Sequence, residues 1–92
     1  PLIQSLEGLT WQYNKNMYLV SISSEIDSPL RRLWVIFHEM GHVIDMYNGI
    51  LEPFPVKWKG KEITNNMPWE ERPWEISANK WAETIWIKLL EK

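Results

Sequence analysis

Two stretches of the chain carry apolar residues at helical spacing. Leu30, Leu33, Trp34, Phe37, Gly41 and Ile44 fall mostly three and four apart, and we expect this stripe to face the core. Ser28-Pro29 supplies an N-cap and a first helical residue, and Gly49 a stop, so the helix should run from Pro29 to about Asn48. Behind Pro73, the residues Trp74, Ala78, Trp81, Ile85 and Leu89 repeat at four and three, which predicts a second helix running towards Glu91. Upstream, Leu9 to Asn14 and Met17 to Ser23 are short runs rich in aromatic and branched residues, joined by the turn-like Asn14-Lys15-Asn16. They read as a β-hairpin. The stretch from Ile50 to Arg72 is rich in Pro, Gly, Asn and Lys and reads as loop, with Val56 to Ile63 suited to a small hairpin turning at Lys59-Gly60-Lys61. The expected fold is α+β, a small hairpin sheet packed on two helices.

Composition narrows the function. Ninety-two residues, 45% hydrophobic and 24% charged, suit one globular domain over 1–92. A net charge of −2, with both signs interspersed, argues against nucleic acid as a partner. There is no cysteine, so any metal must be held by His, Asp or Glu, and a reducing cytoplasmic setting is consistent. The longest apolar run, Leu33 to Phe37, is far too short for a membrane span, and no signal peptide is expected at the N-terminus. Seven tryptophans are many for this length, and most are expected to fill the core.

The chemistry lies in His38-Glu39-Met40-Gly41-His42, an H-E-x-x-H pattern inside the first helix. Residues four apart stack on one helix face, so His38 and His42 can reach a single ion, while Glu39 can reach a water beside it without ligating. These are the only two histidines, and Gly41 costs about 1 kcal/mol of helix propensity against Ala, which makes sense if another backbone packs closely there. Catalytic zinc usually keeps three protein ligands, so the third must be a carboxylate. Asp45, Glu52, Glu62, Glu70, Glu71, Glu75 and Glu83 are the candidates. Glu75 is best placed, on a rigid helix with the small Ala78 and Ala82 on the same face, and Asn79 one turn on could hold a histidine ring N–H. Spacing alone leaves open that Glu75 is simply an acid stabilised by the helix dipole.

The pairing of H-E-x-x-H with Glu75-Ile76-Ser77-Ala78-Asn79 resembles the gluzincin arrangement, in which a second helix brings a glutamate to the zinc. The E-x-x-A-N segment is similar to that of the ImmA/IrrE group, and the short length is similar to that of the minigluzincins. The likeness covers the two helices only. It implies a zinc metalloendopeptidase acting on peptides or unfolded protein, with Zn2+ bound by His38, His42 and Glu75, Glu39 as general base and acid, and Asn79 supporting a ligand. It also implies that Met17 to Ile22 is the edge along which substrate pairs. Asn79 stands where larger gluzincins often carry aspartate, and the oxyanion donor would fall to Tyr13, Tyr18 or no residue; Tyr47 lies on the far side of the helix. Minigluzincins resemble zymogens, which suggests latency or self-association through Leu89-Leu90-Glu91-Lys92. The rival is a zinc-binding but proteolytically idle partner module.

Overall fold

The computed structural model describes residues 2–4, 7–53, 56–63 and 67–91. Helix α1, Pro29–Tyr47, begins where Ser28 accepts a hydrogen bond from the backbone N–H of Arg31 at 3.2 Å. It ends in a Schellman motif: Gly49, at φ 75°, donates to the carbonyl of Met46, and Ile50 donates to that of Asp45. Glycine is required there because the turn needs a left-handed residue.

Three antiparallel strands precede α1: β1 (Leu2–Gln4), β2 (Gly8–Asn14) and β3 (Met17–Ile22), in that spatial order. The expected hairpin is β2–β3, with Asn14 Oδ1 accepting from the Asn16 N–H across its turn. After α1, β4 (Leu51–Pro53), β5 (Val56–Trp58) and β6 (Lys61–Glu62) form a second antiparallel sheet. Its β5–β6 turn is the one expected at Lys59-Gly60, both with positive φ as a primed hairpin turn demands. A 3-10 turn, Trp69–Glu71, leads into α2, Pro73–Leu90.

The stretch from Ile50 to Arg72, expected as loop, thus carries β4 and the 3-10 turn besides the small hairpin, and β1 was not foreseen. Helix α1 is the hub: β2 and β3 pack on it, as do β4 and α2. The first sheet therefore covers α1 rather than both helices, and the extensive neighbours of α2 are α1 and the 3-10 turn.

The helices meet on small residues. Ala78 and Ala82 are fully buried, and a Cβ built on Gly41 would lie 2.9 Å from Ala78 Cα and 3.0 Å from Trp81 Cβ. One core cluster gathers Met46, Leu51 and Trp74, with Tyr18, Val56, Trp58 and Ile63 around it. Within the α1 stripe, Phe37 and Gly41 are buried, but Leu30 is 66% exposed, because the first turn projects beyond the sheet and α2. On α2, Leu89 is exposed for the same reason. Of the seven tryptophans only Trp74 is buried; Trp11 and Trp69 are exposed, and the other four are half-buried at the margin of the core. Among the described residues no helix is long and apolar enough to cross a membrane.

Candidate metal centre

The Gly41–Ala78 contact sets the site's geometry, because it lets α2 approach within side-chain reach of the His38 and His42 face. Glu75, in the first turn of α2, places Oε1 2.8 Å from His38 Nε2 and 3.0 Å from His42 Nε2. His38, His42 and Glu75 are buried, at 6%, 0% and 1% exposure, and one potential ligand atom from each lies within 4.8 Å of the others. Two imidazole nitrogens and a carboxylate so placed could together hold a divalent metal ion.

Unpaired buried atoms support the fit. His42 Nε2, close to the carboxylate, forms no hydrogen bond with it, and Glu75 Oε2 has no partner among the described residues. Buried polar atoms are costly when unpaired, and a cation ligated by this group would give His42 and Glu75 a partner.

His38 Nδ1 lies 2.7 Å from Asn79 Oδ1, an acceptor, so the ring donates there and directs Nε2 towards Glu75 and His42. Burial opposes charge on this ring, but the hydrogen bonds to Glu75 and Asn79 outweigh it and raise its pKa. Burial likewise opposes charge on Glu75, yet the two imidazoles beside it win and hold its pKa near 2. Both shifts favour pairing of a protonated His38 with an ionised Glu75, a proton that a bound metal would displace. Trp69, from the 3-10 turn, stacks on His38 with ring centroids 6.0 Å apart.

Glu39 points from α1 towards the first sheet. Thr10, fully buried on β2, donates its hydroxyl to Glu39 Oε1 at 2.7 Å. A Cβ on Gly8 would fall 2.9 Å from Glu39 Oε2, so a larger residue there would have to displace the Glu39 carboxylate. Burial raises the Glu39 pKa, and the Thr10 hydrogen bond pulls partly the other way. His38 and Glu39 floor a cleft of about 370 Å³ whose walls include Trp34, Val35, Trp69 and Asn79, with Glu7 and Arg31 at one end.

Comparison with protein-family models, with curated proteins and with solved structures finds no match.

Among the other acids considered as third ligand, Asp45 is buried but accepts from Ser77 Oγ at 2.6 Å and Trp81 Nε1 at 3.1 Å, which ties α1 to α2 elsewhere. Glu52, Glu62, Glu70, Glu71 and Glu83 are exposed and outside the group. The expected tyrosines are not in the cleft: Tyr13 is exposed, and Tyr18 donates its hydroxyl to the Lys15 carbonyl. Strand β3 is an edge of its sheet, as expected, but none of its residues lines the cleft. At the other end, α2 stays helical through Leu90, and Leu89, Leu90 and Glu91 do not enter the cleft; Lys92 lies outside the described residues.

Thr10, Gly8, Trp69 and Arg31 carry no motif and escaped the sequence reading. A polar residue at an inward position of an alternating strand is the one signal that could have found Thr10. Thr10→Val should destabilise the metal-free protein by about 1–3 kcal/mol, the cost of leaving a buried carboxylate oxygen unpaired. Thr10→Ser should recover most of it. Denaturant unfolding measures both, and equal stability of Val and Ser variants would show that the hydroxyl contributes nothing.

Proposed function

We propose that this chain is a zinc-dependent metallopeptidase of gluzincin type. One observation carries the reading: His38, His42 and Glu75 converge from two helices into one buried group, and His38 with its neighbour Glu39 also lines the adjoining cleft. When bound, zinc would polarise the scissile carbonyl and acidify a water for attack on it. Glu39 would act as general base towards an attacking water and as general acid towards the leaving amine. Asn79 holds the His38 ring, and Trp34 and Trp69 give the cleft apolar walls.

A second reading has its own support. Glu39 is 1% exposed and held by Thr10, which suits a zinc-binding module in which Glu39 is structural. Zinc content and hydrolysis of an unstructured protein, measured on wild type and Glu39→Ala, separate the two. The peptidase reading expects about one zinc in both proteins and cleavage only by wild type. Zinc with no cleavage by either favours the module, and no zinc in either removes both.

A further inference from the structure

The cleft extends away from the metal centre along one face of α1. Arg31, Trp34, Val35 and His38 all line it, and their spacing of three, four and seven places them in one row. Seven helical residues rise about 10.5 Å, the length of about three residues of extended peptide. Arg31 therefore stands about three residues from a bond held at His38.

Its guanidinium is already oriented. Glu7, on the segment leading into β2, accepts from Arg31 Nε at 3.2 Å and from Nη2. A guanidinium has five N–H groups, so three remain without a partner among the described residues, on a side chain 52% exposed at the end of the cleft. Glu7 offsets the charge of Arg31 yet leaves this donor edge free, the geometry that grips a second carboxylate in a planar fork. The first turn of α1 holds no acidic residue, and its dipole adds a positive end at the same place.

We infer that Arg31 is a specificity residue that binds a substrate carboxylate about three residues from the scissile bond, either an Asp or Glu side chain or the peptide's own C-terminus. The inference rests on the peptidase reading of the site. It narrows the substrates to acidic or C-terminal peptide segments that lay apolar side chains against Trp34 and Trp69.

The test uses zinc-loaded Glu39→Gln protein and short alanine-based peptides, with binding read by calorimetry and by tryptophan fluorescence. One peptide pair carries Asp or Asn at successive positions, and another a free or amidated C-terminus, so the two sources of carboxylate are distinguished. At one position or at the C-terminus, the carboxylate form should bind on the order of tenfold more tightly than its neutral partner. That preference should vanish in Arg31→Met, shrink in Arg31→Lys and grow in Glu7→Gln, whose loss frees the guanidinium for the ligand. Thermal melts confirm that each variant is folded. Equal affinity for charged and neutral peptides, or a preference that survives Arg31→Met, overturns the inference. Cleavage by the protein with native Glu39 is followed separately. Cleavage without a carboxylate preference sinks this inference alone, and the preference without cleavage sinks the peptidase reading while leaving Arg31 as the carboxylate site.

Discussion

Glu75→Ala should weaken zinc by more than about a hundredfold, beyond what losing a supporting hydrogen-bond partner costs a metal site. Glu75 Oε1 faces both histidine nitrogens, and no other acid among the described residues joins the group. Competition against a chelating indicator measures the change; unaltered affinity would remove Glu75 from the ligand set. The same cluster governs the pH dependence of the metal-free protein. The folded pKa of Glu75 is about 2 against an ordinary 4.5, so its stabilisation is complete above pH 4.5 and disappears as pH falls towards 2. That of His38 is raised above 6.5, so its contribution is present below 6.5 and lost as pH rises through the folded value. Glu39, raised above 4.5, also favours acid solution. Metal-free stability should therefore peak in mildly acid solution and fall on both sides. Zinc bound as proposed would compete with the His38 proton, so loading should move the optimum upward; denaturant unfolding at several pH values, with and without zinc, checks this.

The second large effect is expected at Gly41. Helix propensity alone predicts that Gly41→Ala stabilises by about 1 kcal/mol. The packing predicts the opposite, because the new methyl would meet Ala78 Cα at 2.9 Å and Ala78 O at 3.1 Å, backbone that no rotamer change can clear. Overpacking costs about 1–3 kcal/mol, so α1 and α2 must separate and the variant should melt several degrees lower. Zinc affinity should fall with it, since Glu75 moves with α2 while both histidines stay on α1. A melting temperature at or above wild type would show that the helices tolerate the spacing.

What could be read from the chain follows from how local each signal is. Helix α1 was legible at both ends because Ser28 and Gly49 act on their own backbone, and the β5–β6 turn because Lys59-Gly60 must take positive φ. His38 and His42 were legible because a helix fixes their spacing. Glu75 was harder: its role depends on how two helices meet, and only the small residues Gly41, Ala78 and Ala82 hinted at the approach. Thr10 lies 29 positions from Glu39 in the chain, and no local pattern links them. Strands β1 and β4 are three residues each, too short for alternation to show. Leu30 and Leu89 fit their helical stripes, but the stripes extend past the surfaces that cover them.

His42 and Glu75, the proposed ligands nearest in sequence on the two helices, are separated by 33 positions. A metal ligated by both acts as a cross-link and closes that length of chain into a loop. By the chain-entropy relation for cross-links, a loop of this size removes about 4 kcal/mol of freedom from the unfolded chain. For a protein with no cysteine, and therefore no disulfide, the ion would take the place of the covalent staple on which small domains often depend.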